Sequence, residues 1–226
     1  MTVSRVLRGV LLDVDGTLID SNDAHAQSWA DTFREFGLDI PVERVRPLIG
    51  KGGDKLLPEL TGLDHESDAA VRMTERRKEI FDSGYLGQLR AFPGAQDLLA
   101  RFKQSGLSLV IATSAGRSEL NKLLEQTGLE ELVDKKTSSS DADKSKPDPD
   151  IIEAALERGK LRADEVLMLG DTPYDIEAAA RAGVKTVALR SGGWPDRALS
   201  GAVAVYDDAE DLLRSFDQSP FGRGSG

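Results

Sequence analysis

Short apolar runs recur along the chain, and their spacing predicts its architecture. The four clearest are Gly9-Val10-Leu11-Leu12, Leu107-Ser108-Leu109-Val110-Ile111, Val166-Leu167-Met168-Leu169 and Val184-Lys185-Thr186-Val187-Ala188-Leu189. Their length and branched side chains fit strands buried on both faces. A weaker run, Val203-Ala204-Val205, predicts a short edge strand. Between the later runs the apolar positions switch to helical spacing. Leu98, Leu99 and Phe102 make one stripe, Leu120, Leu123 and Leu124 a second, Ile151, Ile152, Ala155 and Leu156 a third, and Ile176, Ala179 and Ala180 a fourth. Strands alternating with helices predict an α/β fold with a doubly wound parallel sheet.

Residues 21–87 break this alternation. They carry only helical signals: Trp29, Phe33 and Phe36 recur at helical spacing, as do Met73, Ile80 and Phe81, and Gly50, Gly52 and Gly53 punctuate the middle. The pair Pro93-Gly94 marks the return to alternation. The reading is therefore a discontinuous core of residues 1–20 and 88–226, with an α-helical insertion at 21–87. The last residues, from Ser219 to Gly226, are rich in Gly and Ser, and a frayed end is expected there.

Composition narrows the function. The chain has 226 residues, 29 Lys and Arg against 39 Asp and Glu, and a formal net charge of -10. That balance argues against coating nucleic acid or an anionic membrane. It also repels anionic substrates unless a local cation reverses the field. Cysteine is absent, which removes disulfides, thiolate zinc sites and cysteine nucleophiles, and fits a reducing compartment. Residues 1–9 lack the apolar stretch of a secretory leader, and no run approaches the roughly 20 residues that span a bilayer. A cytoplasmic protein is expected.

Polar groups gather at the ends of three of the predicted strands. The first ends in Asp13-Val14-Asp15-Gly16-Thr17-Leu18, the second in Thr113-Ser114, and the third in Gly170-Asp171-Thr172-Pro173-Tyr174-Asp175. Residues two apart in an extended segment share a face, so Asp13 and Asp15 can enter one crevice. Ligands of open parallel sheets bind at the carboxyl ends of the strands, near the topological switch point. Each piece also has a plainer reading. Thr113 and Ser114 suit a helix cap. Thr172, Pro173 and Asp175 make a good helix start, which explains Asp175 but not Asp171. Lys146, before Pro147-Asp148-Pro149, taken alone is a loop lysine.

In this order, Asp13-Val14-Asp15-Gly16-Thr17, Thr113, Lys146-Pro147 and Gly170-Asp171-Thr172 with Asp175 resemble the four motifs of the haloacid dehalogenase-like hydrolase superfamily, over nearly the whole chain. The resemblance implies a Rossmann-like catalytic core with the helical insertion as its cap domain. It implies Asp13 as nucleophile, Asp15 as general acid and base whose backbone carbonyl also faces the metal, Asp171 and Asp175 as further metal ligands, Thr113 on the transferring phosphoryl group, and Lys146 bridging that phosphate and Asp13. Four such carboxylates repel a phosphate dianion, so they make sense around a hard cation, Mg²⁺, that shares the phosphate. An Asp at position 15 matches the phosphoester branch, not the dehalogenases.

The expected ligand is a small phosphate ester. Within the cap, the stretch from Ser21 to Trp29 resembles relatives of phosphoglycolate phosphatase and β-phosphoglucomutase. His25 either faces the site or lies on a helix surface. The loop Ile49-Gly50-Lys51-Gly52-Gly53-Asp54 resembles the phosphoglycolate phosphatase form, since the mutase form carries an Arg about where Gly53 stands. Lys51 either receives the substrate or is solvated, and Ser114 is a further candidate substrate contact. The expectation is a Mg²⁺-dependent phosphatase acting through an aspartyl-phosphate, as a monomer or homodimer; the alternative is a phosphomutase using the same nucleophile.

Overall fold

The structure, a computed structural model, describes residues 6–223. Its elements run β1 (Gly9–Leu12), α1 (Asn22–Glu35), α2 (Val42–Val45), α3 (Gly53–Thr61), α4 (Asp68–Gly84), α5 (Ala95–Gln104), β2 (Ser108–Ala112), α6 (Arg117–Thr127), β3 (Lys135–Thr137), α7 (Asp150–Gly159), β4 (Val166–Gly170), α8 (Pro173–Arg181), β5 (Lys185–Leu189), β6 (Ala204–Tyr206), α9 (Ala209–Arg214) and α10 (Pro220–Arg223). The six strands form one parallel sheet in the order β3-β2-β1-β4-β5-β6. The chain winds outward from β1 on one side, then crosses to β4 and winds outward on the other. The crevice beside β1 is therefore the switch point, where such sheets bind ligands.

Both faces of the sheet are covered, which is why the strand runs are continuously apolar. Val10, Leu12, Leu109, Ile111, Leu167 and Leu169 pack with the apolar stripes of α5, α6 and α9. Leu11, Val110 and Met168 face the other way, onto Ile151, Ile152 and Ala155 of α7 and Ala178 and Ala179 of α8. The helices between β1 and α5 have a separate core, built on Trp29, Phe33, Leu48, Leu56, Leu57 and Met73.

Several local expectations change. The edge strand β3 has no apolar run to announce it: Lys135 is exposed and only Thr137 is buried, because it pairs on one side alone. The stripe of α4 that turns inward is Ala70, Met73, Arg77 and Phe81, while Ile80 is only half-buried. Phe36, at the end of α1, is 37% exposed. The carboxyl end is packed through Phe221, which is fully buried and meets the Phe102 ring edge-on at 4.7 Å, so the expected fraying does not hold for residues 219–221. Residues 224–226, and the first five residues of the expected leaderless start, lie outside the described residues. Among the described residues no helix is long and apolar enough to cross a membrane.

Candidate active site

The crevice at the end of β1 is shaped by backbone pairing. The Asp13 N–H donates to the Leu169 carbonyl at 2.9 Å, carrying the β1–β4 ladder one residue further and bringing Asp13 to the rim of β4. The chain then turns at Gly16, whose φ is +79°. A Cβ there would fall 2.0 Å from Asn22 Nδ2 and 2.2 Å from Asp171 Oδ2, so glycine is required by space as well as by backbone angle. Asp171 follows β4 directly. Asp175 lies in the first turn of α8, where the helix start read from the sequence is present: Thr172 Oγ1 accepts from the Asp175 N–H at 3.2 Å, and Asp175 Oδ2 accepts from the Thr172 N–H at 3.0 Å. Capping through Oδ2 leaves the other oxygen of Asp175, Oδ1, turned toward Lys146.

Asp13, Asp171 and Asp175 are all buried and each brings a carboxylate oxygen within 4.8 Å of the others. Lys146, 1% exposed, reaches into them, and its Nζ donates to Asp13 Oδ1 and Asp175 Oδ1, both at 2.6 Å. Thr17 Oγ1 lies 2.9 Å from Asp171 Oδ1 and 3.2 Å from Asp13 Oδ2, and Asn22 Nδ2 donates to Asp171 Oδ2 at 3.0 Å. One ammonium cannot neutralise three buried carboxylates. Burial accordingly pushes Asp13 up from 3.8 to about 7, with Asp175 and Asp15 adding repulsion and Lys146 opposing it. Asp171 is raised well above its ordinary value by burial and then by Asp13 and Asp175. Lys146 is raised despite burial, because both aspartates favour its charge. A buried set of oxygen donors with unneutralised charge, and no nitrogen or sulfur ligand, fits a hard divalent cation such as Mg²⁺.

The Asp15 carboxylate is not part of that cluster. Its Oδ1 accepts from Ser21 Oγ at 2.6 Å and from His25 Nε2 at 2.7 Å. The other ring nitrogen, Nδ1, faces the Arg77 guanidinium, which has only donors. Nδ1 therefore accepts, and Nε2 carries the proton that Asp15 receives. The His25 ring stacks on Phe81 with centroids 4.4 Å apart. Arg77 also binds Ser28 Oγ at 3.2 Å and pairs with Glu119 on α6. Burial alone pushes Asp15 up, but His25, then Ser21 and Arg77, outweigh it and hold the carboxyl below its ordinary value.

A cavity of about 660 Å³ opens over this rim, lined by Asp13, Asp15, His25, Arg77, Thr113 and Ser114 among others. Thr113 is 1% exposed, and its Oγ1 accepts from the Ala115 N–H at 3.1 Å. The residue preceding α6 is Gly116, so neither Thr113 nor Ser114 is that helix's N-cap. Ser114 Oγ donates to the Gly50 carbonyl at 3.1 Å. Lys51 lines the cavity but pairs with Glu59, and its Nζ lies 5.0 Å from the Tyr174 ring centroid. Arg77, Thr17 and Asn22 do not stand out in the sequence as site residues. Arg77 has a readable signal nonetheless: a charged residue four positions from both Met73 and Phe81 stands within an apolar stripe.

Comparisons with known proteins identify the family and the fold. The family model described as haloacid dehalogenase-like hydrolase matches residues 10–189. A phosphoglycolate phosphatase of Photobacterium profundum is 32% identical over 193 residues, covering 82% of this chain and 84% of that one. Pyrophosphatase PpaX of Oceanobacillus iheyensis is 28% identical over 183 residues, covering 81% and 83%. A solved hydrolase from Pseudomonas syringae superposes with a TM-score of 0.86 at 30% identity, over 93% of this chain and 98% of the other.

Proposed function

The chain belongs to the haloacid dehalogenase-like hydrolase family and is a phosphatase, and we propose that it hydrolyses small phosphorylated metabolites, of the phosphoglycolate or sugar phosphate type, with Asp13 as nucleophile. The observation that carries this reading is the division of labour at one strand end. Asp13, Asp171 and Asp175 are gathered around Lys146, while Asp15 is held apart by Ser21 and His25.

In the proposed reaction a carboxylate oxygen of Asp13 attacks the phosphorus of the ester. The bond from phosphorus to the alcohol oxygen breaks, and that oxygen leaves with its electron pair and takes the proton of Asp15 in its acid form. Asp15 then removes a proton from water, which attacks the aspartyl-phosphate and returns the bonding pair to Asp13. Inorganic phosphate departs and Asp15 is again protonated. The resting site favours ionised Asp15, the form needed for the water step. A phosphate dianion bound beside it raises its proton affinity for the first step. Asp13, Asp171 and Asp175 would hold Mg²⁺, which neutralises phosphate charge when bound. Lys146 holds Asp13 in place and, with the Thr113 hydroxyl, would bind the equatorial phosphoryl oxygens.

In this scheme residues 1–20 and 88–226 are the catalytic core, and residues 21–87 the cap that closes the site against water. Every group named comes from one chain, which suits a monomer or a homodimer. The absence of cysteine fits the proposed cytoplasmic location. Purified protein incubated with phosphoglycolate, sugar phosphates and pyrophosphate should release phosphate from a monoester only when Mg²⁺ is present. Release from pyrophosphate alone would redirect the substrate assignment, and metal-independent release would overturn the scheme.

A further inference from the structure

Ser145 immediately precedes Lys146 and is 3% exposed. Its hydroxyl accepts the Gly52 N–H at 3.0 Å and donates to Asp54 Oδ1, while its own N–H lies 3.3 Å from Asp54 Oδ2. These partners sit at the start of α3, in the helical segment, whereas Ser145 sits in the loop that leads into α7. On the other side of Lys146, Asp148 pairs with Lys55 at 2.7 Å. The backbone bearing Lys146 is thus gripped before and after by the first residues of α3. The approach is close: a Cβ on Gly52 would lie 2.5 Å from Ser145 Cβ, Ser145 Oγ and Asp54 Oδ1. This gives a physical reason for glycine at one position of the Gly-Lys-Gly-Gly run.

We propose that Asp54 and Ser145 are positioning residues that make the placement of Lys146 depend on the docking of the helical segment. The inference rests on the phosphatase reading of the site. A buried hydroxyl and N–H without partners cost free energy, so Ser145 favours the docked arrangement. When the segment lifts, Ser145 loses each of these bonds together, one residue from the cation that stands among the clustered carboxylates. Other junction contacts do not report on Lys146 in this way. The Arg77–Glu119 and Lys122–Asp82 pairs end on α6, and the Tyr174 hydroxyl bonds the Pro47 carbonyl. Lys146 is therefore firmly aimed at the phosphate when the cavity is covered and loosened when it is open to water.

The test uses the full chain with Asp54→Ala, Ser145→Ala and the double variant, assayed with Mg²⁺ and a small phosphomonoester. Each single variant should lose about tenfold in kcat with KM changed less than about threefold, as expected when an interaction serves the transition state rather than ground-state binding. The double variant should be no worse than the poorer single, because one clasp is lost once. Amide exchange at residues 145 and 146 should quicken while β1 and β4 exchange as before. Kcat within about twofold of wild type in both singles, a double loss equal to the product of the single losses, or unchanged exchange at 145 and 146 each overturns the proposal. If the wild-type chain releases no phosphate, the phosphatase reading falls separately, and the exchange measurement still decides whether the clasp exists.

Discussion

Asp13 and Asp15 lie two residues apart on one strand end yet sit in opposite electrical surroundings. Asp13 faces other buried carboxylates and is pushed up to about 7, while Asp15 faces donors and is held below its ordinary value. The neighbours of Asp13 come from the sheet: Asp171 after β4, Asp175 at the start of α8, and Lys146 before α7. Those of Asp15 come from the helical segment: Ser21, His25 and, through the ring, Arg77. The sheet side is built with a deficit of positive charge, which a divalent cation would offset. The helical side is complete in itself and sets the proton affinity of one carboxylate. In the proposed scheme, one strand end serves nucleophile and acid–base chemistry because two different regions surround its two aspartates.

Substitution at each aspartate breaks the comparison at one end. Asp13→Asn should lower Mg²⁺-dependent release from an aryl phosphate by about 10³-fold or more, since no other group in the scheme replaces the nucleophile. The fold should survive, because the change removes one charge from a repelling cluster. Residual turnover near wild type would end the nucleophile assignment. Asp15→Asn should cost about 10²-fold with a poor alkyl leaving group and clearly less at the departure step with an aryl one. Equal losses on the two ester types, measured by single-turnover phosphorylation, would remove the acid role.

A smaller effect separates the regions without any substrate. The folded-state value of Asp13 lies above the unfolded 3.8, so between 3.8 and about 7 the folded chain holds a proton that the unfolded chain has shed. Its stabilising contribution is complete below the lower value and is lost as pH rises through the upper one. Asp171 is shifted in the same direction. Asp15 is depressed, so its contribution is gained on rising through the ordinary range and is already present at neutral pH. Metal-free protein should therefore lose stability, on the order of a few kcal/mol, between pH 5 and 8, and Mg²⁺ should restore it most at the alkaline end. Urea melts with EDTA and with Mg²⁺ check this. A metal-free stability that rises over that window would contradict the account of the sheet side.

The sheet side is the more legible in the sequence, for a physical reason. Buried parallel strands announce themselves as apolar runs, and polar residues directly after such runs must stand at the rim, so Asp13, Thr113 and Asp171 follow from the pattern. Lys146 becomes legible only through the order of the motifs, because nothing local distinguishes it from a solvated loop lysine. The edge strand β3 is invisible for the opposite reason: Lys135 and Lys136 carry no burial signal. On the helical side the residues that matter are held by tertiary contacts. His25 is ambiguous in the sequence because its partners are Asp15, ten residues before it, and Arg77, fifty-two after it. Arg77 shows only as a charge interrupting the apolar stripe of α4, and nothing local says that it faces His25. Asp54 and Ser145 meet across 91 positions, and no spacing rule connects them.

The finest test asks whether the helical side acts on Asp15 through the His25 N–H. In the aspartyl-phosphate Asp13 is esterified and cannot titrate, so with an aryl ester whose hydrolysis is limited by the water step, the acidic limb of kcat follows the ionisation of Asp15. His25→Phe removes the donor while leaving an aromatic ring to stack on Phe81. Burial then meets less opposition, Asp15 rises, and the acidic limb should move up the pH axis, so that kcat on that limb falls at fixed pH. His25→Gln retains an N–H that can reach the carboxylate and should leave the limb close to wild type. If His25→Gln alone shifts the limb, His25 acts by packing alone, since His25→Phe keeps the ring on Phe81. If neither shifts, Ser21 and the wider field set the proton affinity of Asp15, and the contrast between the two aspartates rests on the sheet side only.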